Sequence, residues 1–320
     1  MKFKISLLGL LCFLFVMSLF VGVSNVSWHS LLNDHSAREV FINSRLPRTF
    51  AVILTGMSMA NAGVIMQMLM RNRFVEPSMT GTTESAALGL LLVTLLFPSI
   101  AIGLKMVIAA CVAIAGLGGF MLIVRRLPPT ATLLIPLTGI IYGGVISSIS
   151  LFIAYEYDMM QSLVSWILGD FSSVLAGRYE LLWGTAILCV LAYIYANQFT
   201  LAGLGKEIST SLGLQYQQIT VIGLVIVALI SAMVVVTVGG IPFIGLVVPN
   251  IVSRLMGDDA KHTLPWIMVS GAVLILACDI LSRLLNYPYE IPIGTVIGVL
   301  GSIVFLYLLY KRPTYARKIS

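Results

Sequence analysis

The chain has 320 residues, of which 59% are hydrophobic and 10% are charged, and its formal net charge is +6. Because a soluble domain typically carries about 25% charged residues, this composition excludes an ordinary soluble protein. Apolar runs near the length of a membrane helix recur throughout, and they lack the alternation of a membrane barrel. Since only helices and closed barrels satisfy their backbone groups in lipid, the sequence predicts an all-α polytopic membrane protein.

Ten apolar segments are predicted to span the membrane. They lie at about 5–24, 48–70, 78–98, 101–124, 132–154, 180–197, 217–238, 241–256, 264–285 and 291–310. The first is longer than the apolar region of a signal peptide and no cleavage motif follows it, so we expect a retained span. No gap between segments exceeds about 25 residues, which predicts a single transmembrane domain over residues 1–320.

The distribution of basic residues predicts the orientation of these spans. With an even number of spans both termini share one side, and that side holds thirteen of the 19 basic residues: Lys2, Lys4, Arg71, Arg73, Arg125, Arg126, Lys206, Arg254, Lys261, Lys311, Arg312, Arg317 and Lys318. We therefore expect both termini in the cytoplasm. The positive charge reflects topology and predicts contact with membrane lipid, not with nucleic acid.

A polar block interrupts the apolar sequence between the eighth and ninth spans. After the uncharged run Phe243 to Val248 and Pro249, the block contains Arg254, Gly257, Asp258, Asp259, Lys261 and His262, and apolar sequence resumes after Pro265. This pattern predicts a cytoplasmic hairpin at about 252–265 that a soluble partner can bind. The chain has no nucleotide-binding loop, dinucleotide fingerprint or catalytic triad signature, so we expect no catalytic residues and no enzyme activity.

Ionisable residues inside the spans are few, and such residues are functional candidates because they are costly in lipid. Asp279 precedes Arg283 by one helical turn, so an intrahelical pair is expected. Glu84 is placed near Arg71 or Arg73 and is expected to pair with one of them. The chain of acids expected in a proton-driven carrier is missing.

Two further groups of polar residues lie on the predicted outer side. His29 and His35 flank Asp34, but their spacing fits no regular helix face and lacks a third strong ligand, so we expect no metal site. Arg45, Arg48 and Arg283 converge at the outer surface, where arginines suit bidentate capture of carboxylates on a partner. Anchoring to lipid phosphates is the alternative use of these arginines.

Several segments together resemble the permease subunits of binding-protein-dependent ABC importers for iron-siderophores, haem and cobalamin (the FecCD type). They include RLPRTFAVILTGMSMANAGVIMQMLMRN (45–72), SAALGL (85–90), SWILGDF (165–171), SLGL (211–214), GGIPFIGLVVPNIVSRLMGDD (239–259), ACDILSR (277–283) and EIPIGTVIGVLGSIVFLYLLYKR (290–312). These segments run in the family's order across nearly the whole chain.

The resemblance implies a type II ABC importer permease architecture, with ten helices per subunit and two subunits forming the pathway. It implies that the hairpin docks on an ATPase subunit, and that Arg45, Arg48 and Arg283 contact acidic residues of an extracytoplasmic binding protein. The second permease subunit is either an identical copy or a paralogue. ATP and magnesium would be bound by the ATPase and iron by the siderophore, so this chain would need no cofactor or metal. The implied location is the bacterial cytoplasmic (inner) membrane.

One departure from the family bears on the substrate. Many members read VPH where this chain reads Val248-Pro249-Asn250, and asparagine keeps hydrogen bonding but cannot titrate. Together with NRFVEPSMTGTTESA, this form is most similar to the subgroup for catecholate or mixed catecholate siderophores, such as petrobactin or anguibactin. Ser147, Ser148, Ser150 and Asn250 are candidate pathway residues, although the serines equally suit helix packing. Import of cobalamin or haem, and an ion-coupled secondary transporter, are the alternative functions.

Overall fold

The computed structural model describes residues 2–22, 29–30, 34–124, 126–127 and 134–310. These residues are mostly helical, and the β-structure that they contain is an isolated bridge between Leu168 and Gly240. Part of the orientation argument rests on Arg125, Lys311, Arg312, Arg317 and Lys318, which lie outside the described residues.

The described helices are numbered in chain order. They are α1 Lys2–Phe20, α2 His35–Leu69, α3 Thr82–Leu96, α4 Ile102–Val124, α5 Leu134–Glu156, α6 Met160–Ile167, α7 Trp183–Ile194, α8 Ala196–Ala202, α9 Lys206–Ser211, α10 Tyr216–Val238, α11 Ile244–Met256, α12 Ala260–Leu284 and α13 Ile293–Tyr310. Short 3₁₀ turns at Pro77–Thr80 and Glu180–Leu182 precede α3 and α7.

Each of the ten predicted spans coincides with apolar helix, but not all of them are long enough to cross a membrane unaided. Six helices have that length and composition: α1, α2, α4, α5, α10 and α12. The helix from Glu180 to Ile194 and α8 form a seventh span if they are taken together across their 62° bend. The other three predicted spans correspond to the shorter apolar helices α3, α11 and α13.

Two helices begin earlier than the sequence predicts because a side chain caps each N-terminus. Asp34 accepts a hydrogen bond from the amide of Ser36 at 3.0 Å, so α2 starts at His35 and reaches the apolar region through a π turn at Phe41–Arg45. Asp259 accepts from the amide of Lys261 at 3.0 Å, so α12 starts at Ala260 and contains Pro265. The charged residues of the hairpin described below therefore lie directly at the start of α12.

Helix α2 lies at the centre of the molecule and packs closely on α11 and α12. A Cβ atom on Gly56 would lie 2.5 Å from the carbonyl oxygen of Gly271 in α12, and a Cβ on Gly63 would collide with Gly245 in α11. Small residues let membrane helices approach to backbone contact, where van der Waals packing replaces the hydrophobic effect. These contacts fix α11 and α12, and hence the hairpin between them, relative to α2.

Candidate functional site

The turn of the hairpin, between α11 and α12, consists of three residues, Gly257, Asp258 and Asp259. Gly257 has φ of 91°, a conformation that favours glycine, and a Cβ atom there would meet no heavy atom within 4 Å. Nδ1 of His262 lies 2.6 Å from Oδ2 of Asp259. This hydrogen bond is the main reason why the pKa of Asp259 is lowered, and the amide of Lys261 acts in the same direction.

The hairpin is tied to three other parts of the chain. Asp258 accepts from Arg73 at 2.7 Å and also contacts Ser253. The amide of Ala260 donates to the Thr200 hydroxyl at the end of α8, at 3.2 Å. Arg254 donates to the carbonyl oxygen of Leu308 in α13, at 2.9 Å. Lys261 and His262 remain exposed, so the hairpin presents charge outward from a fixed base.

A second exposed element lies beside Arg71, and the sequence interpretation assigned it no role. Helix α9 exposes Ile208 by 53%, and Leu204 and Leu212, which flank the helix, are exposed by 47% and 61%. These apolar side chains in a polar loop are readable from the sequence. The guanidinium of Arg71 packs at Gly205, where an added Cβ would lie 3.0 Å from a guanidinium nitrogen.

A cavity of about 400 Å³ separates the end of α2 from α8 and the hairpin. Its lining includes Gln67, Arg71, Arg73, Thr200, Asn250 and Asp258. Asn250 borders this cavity, but its amide nitrogen donates to the carbonyl oxygens of Arg73 at 2.8 Å and Leu246 at 2.7 Å. Asn250, a predicted pathway residue, thus uses both hydrogen-bond donors of its side chain to bind backbone carbonyl oxygens.

Glu84 does not pair with Arg71 or Arg73, and that prediction is wrong. The preceding 3₁₀ turn delays the start of α3 to Thr82, so Glu84 lies in the first turn of α3 and faces Gly143 of α5. Arg73 is paired with Asp258 instead. Among the described residues, Oε2 of Glu84 has no hydrogen-bond partner.

At the opposite end of α2, the three predicted docking arginines come together around two carboxylates. Arg48 donates to Oδ1 of Asp279 at 2.9 and 3.2 Å and to Glu290 at 2.6 Å. Arg283 pairs with Oδ2 of Asp279, which confirms the predicted intrahelical pair.

The same arginines also join α1 to this cluster through backbone carbonyls. Arg283 donates to the carbonyl oxygens of Ser18 and Val21 at 2.9 and 3.0 Å, and Arg45 donates to that of Val21. The exposed fractions of Arg45, Arg48 and Arg283 are 7%, 8% and 2%, and that of Asp279 is 0%. The cluster is therefore largely buried in this chain, and Glu290 is a member that the sequence interpretation missed.

The three candidate pathway serines of α5 differ in their surroundings. Ser148 is exposed and its hydroxyl donates to the carbonyl oxygen of Gly144 at 2.9 Å. Ser150 is buried and donates to that of Ile146 at 3.0 Å, whereas Ser147 is half-buried. Ser148 thus lies on an exposed stripe with Ile141, Val145 and Phe152, and Ser150 faces the protein interior.

No group of three or more histidine, cysteine, aspartate or glutamate side chains that could hold a metal ion occurs within the described ranges. His35 lies 3.6 Å from Glu39, one turn along α2, and both side chains are exposed.

Comparisons with known proteins place these sites in a wider context. Residues 10–311 match the model of the FecCD transport family. The chain is 47% identical to the petrobactin import system permease protein YclN of Bacillus subtilis (strain 168), over 96% of this chain and 98% of that protein. It is 39% identical to the ferric-anguibactin transport system permease protein FatD of Vibrio anguillarum (strain ATCC 68554 / 775), over 92% and 94%.

A solved structure shares the fold. It is described as an inward-facing conformation of a putative metal-chelate type ABC transporter, and it matches with a TM-score of 0.83 and 24% identity over 97% of this chain and 99% of that chain.

Proposed function

The chain belongs to the FecCD transport family, and we propose that it carries a ferric siderophore of the catecholate or mixed catecholate class into the cytoplasm. It is a multi-pass permease subunit of an ABC importer and is not itself an enzyme. The proposed substrate class rests on the 47% identity, over 96% of the chain, to a permease named for petrobactin import.

The family implies an ATPase, a binding protein and a second permease as partners. We assign ATPase docking to Arg254, Gly257, Asp258, Asp259, Lys261 and His262 of the hairpin, together with α9. Exposed Ile208 of α9 and the flanking Leu204 and Leu212 support this assignment, because the basic-residue bias favours a cytoplasmic position for α9, where no lipid tails would cover them. ATP and magnesium belong to the ATPase and iron to the siderophore. Both chain termini lie in the cytoplasm, and the membrane is the bacterial cytoplasmic membrane.

We assign binding-protein docking to Arg45, Arg48 and Arg283. Three guanidiniums face two carboxylates, Asp279 and Glu290, so the cluster has a net charge of +1 (3 − 2) that favours an acidic partner. The side chain of Arg283 is 1% exposed, so Arg283 acts by holding α1 and α12 in place. Arg48 is shared with Glu290, which is 23% exposed and would compete with a carboxylate of the partner.

A substitution at Glu290 tests this docking surface without breaking the pairs of Asp279. Glu290→Gln releases Arg48 for the partner, so affinity for the cognate binding protein should rise, most strongly at low salt where exposed charges are least screened. A matched Glu39→Gln change should leave affinity unaltered. If Glu290→Gln binds the cognate binding protein no more tightly than wild type does, the arginine cluster is not part of the docking surface.

The translocation pathway is proposed to run along the exposed stripe of α5, with Ser148 on it, between this chain and a second permease that is an identical copy or a paralogue. Asn250 stands at the cytoplasmic cavity, and its role is to hold Arg73 and Leu246 in place. Ser147 is at the edge of the stripe, and burial removes Ser150 from it.

Substrate class is tested with the assembled importer in proteoliposomes. A radioiron-labelled catecholate siderophore, haem and cobalamin are offered with the cognate binding protein and with ATP on the ATPase side. The proposal requires uptake of the ferric catecholate and little of the other two. Uptake of haem or cobalamin without uptake of the siderophore would refute it.

A further inference from the structure

The segment between α2 and α3, residues 73–80, runs along α11 and is called the strap below. Its first residue is held at two atoms. The carbonyl oxygen of Arg73 accepts from Asn250 at 2.8 Å, and the Arg73 guanidinium donates to Asp258 of the hairpin at 2.7 Å. The strap therefore begins beside the middle of α11, and the side chain of Arg73 reaches past the C-terminal end of this helix to the hairpin.

Three residues later the strap reaches the N-terminal end of α11. Glu76 is 3% exposed, and its Oε1 accepts from the amide of Phe243 at 3.1 Å and from the Ser78 hydroxyl at 2.5 Å. Phe243 is the N-cap of α11 and has φ of 67°. Its side chain has no acceptor for the free amides of the first turn. The Glu76 carboxylate accepts from the amide of this N-cap residue and places negative charge at the positive end of the helix.

The strap is attached to α11 at two points. From Asn250 back to Phe243 is seven residues, or about 10 Å of helix. The strap covers this distance through a turn, in which the amide of Val75 donates to the carbonyl oxygen of Asn72 at 3.4 Å, and then through Glu76, whose backbone is extended with φ of −134° and ψ of 161°. A displacement of α11 therefore acts on the strap at both attachments.

Beyond Glu76 the strap makes backbone contact with α5. A Cβ atom on Gly139 would collide with the carbonyl oxygen of Met79, and one on Gly81 would lie 2.7 Å from the ring of Tyr142. Tyr142 in turn donates to the carbonyl oxygen of Gly116 in α4, at 2.8 Å. A shift of the strap therefore pushes on α5.

We propose that Arg73 and Glu76 are positioning residues of the transport cycle, joining the hairpin and α11 to α5 through the strap so that these elements move together. Neither residue contacts substrate or nucleotide in this role. The inference rests on the proposed function, in which the hairpin receives the ATPase movement and α5 borders the pathway.

The measurement is the amount of siderophore moved per ATP hydrolysed by assembled importer in proteoliposomes. Arg73→Gln breaks the exposed pair with Asp258 and should lower this ratio up to about fivefold, the range of an exposed ion pair. Arg73→Lys keeps the charge and should restore most of the ratio. Glu76→Gln keeps an acceptor oxygen but removes the charge, and it should lower the ratio at equal complex yield. Glu39→Gln is the control.

Unchanged ratios in Arg73→Gln and in every Glu76→Gln complex that assembles would overturn the proposal. If Glu76→Gln fails to assemble, Asn250→Ala takes its place, because it releases the same end of the strap as Arg73 does.

A second measurement separates this proposal from the proposed substrate. Spin labels are placed at Tyr155→Cys, an exposed position near the end of α5, and at Leu255→Cys, an exposed position in α11 beside the hairpin, with Cys12 and Cys111 replaced. The distance between the two labels, and the distance from each to its copy where two copies pair, are compared between nucleotide-free and ATP-trapped importer. In the otherwise wild-type protein both labels should move between the two states. In Arg73→Gln the label near the hairpin should still move, whereas the label on α5 should not. An equal shift in Arg73→Gln would refute the strap even if siderophore uptake fails, whereas absent siderophore uptake alone refutes only the substrate.

Discussion

Asp279 should be the most costly single side chain to alter in the arginine cluster. Its two oxygens accept three hydrogen bonds from Arg48 and Arg283, and its exposed fraction is 0%. Asp279→Asn keeps the shape but places a donor against a guanidinium. Arg48 keeps Glu290, whereas Arg283 keeps only neutral acceptors.

The cost follows from leaving a buried arginine without a counter-charge. Breaking a buried ion pair in this way costs about 3–5 kcal/mol, which is a factor of about 10² to 10⁴ in the unfolding equilibrium. Unfolding in mixed detergent micelles, followed by far-ultraviolet circular dichroism, measures the change. Glu39→Gln breaks an exposed pair and should cost at most about 1 kcal/mol.

A double variant distinguishes the free energy lost with the ion pair from the free energy cost of a buried charge without a partner. Asp279→Leu combined with Arg283→Leu removes two buried charges together and should cost less than Asp279→Asn. If Asp279→Asn costs no more than Glu39→Gln, the reasoning about the buried cluster is refuted.

Three further predictions concern packing, the hairpin and pH. Gly56→Ala should destabilise the fold by about 1–3 kcal/mol because its Cβ would collide with the backbone of α12. The control is Gly118→Ala, whose Cβ would meet no heavy atom within 4 Å and should not destabilise the fold. Equal unfolding midpoints for the two variants would contradict this prediction. Gly257→Val forces a strained backbone at φ of 91° and should lower uptake per ATP hydrolysed without reducing membrane insertion; normal coupling would remove Gly257 from the docking surface. The folded-state pKa of Asp259 lies below its unfolded value, chiefly through His262, so its stabilisation is present above about pH 4 and is lost as pH falls through the folded value. Wild type should therefore be more stable than Asp259→Ala at neutral pH, and this difference in unfolding free energy should disappear in strong acid. A difference that does not depend on pH would contradict the assignment.

The spans could be predicted from the sequence because long apolar runs have few alternatives in lipid. Helix α11 shows where this reasoning ends. Its apolar composition resembles a span, yet it has 13 residues, a length set by Phe243 at one end and Gly257 at the other. The sequence predicts a later start for α12 because Pro265 is typical of a helix boundary, whereas Asp259 caps the helix and lets it begin at Ala260.

Partners distant in sequence could not be predicted from spacing. Asp279 and Arg283 are one turn apart, and their pair was predictable. Glu76 and Phe243 are 167 residues apart, and Arg48 and Glu290 are 242 apart. These contacts depend on how α11 and α12 pack against α2, which glycine-to-glycine contact decides. The pairing predicted for Glu84 fails for a local reason, because the 3₁₀ turn before α3 determines which way its side chain faces.

The central claim is that this permease is driven by ATP through a separate subunit. The direct test compares uptake of a labelled ferric catecholate siderophore into two kinds of proteoliposome. One contains the permease with its ATPase, supplied with the binding protein and ATP, and the other contains the permease alone under a proton or sodium gradient. The account predicts uptake only in the first. Uptake by the permease alone, driven by the ion gradient, would contradict it.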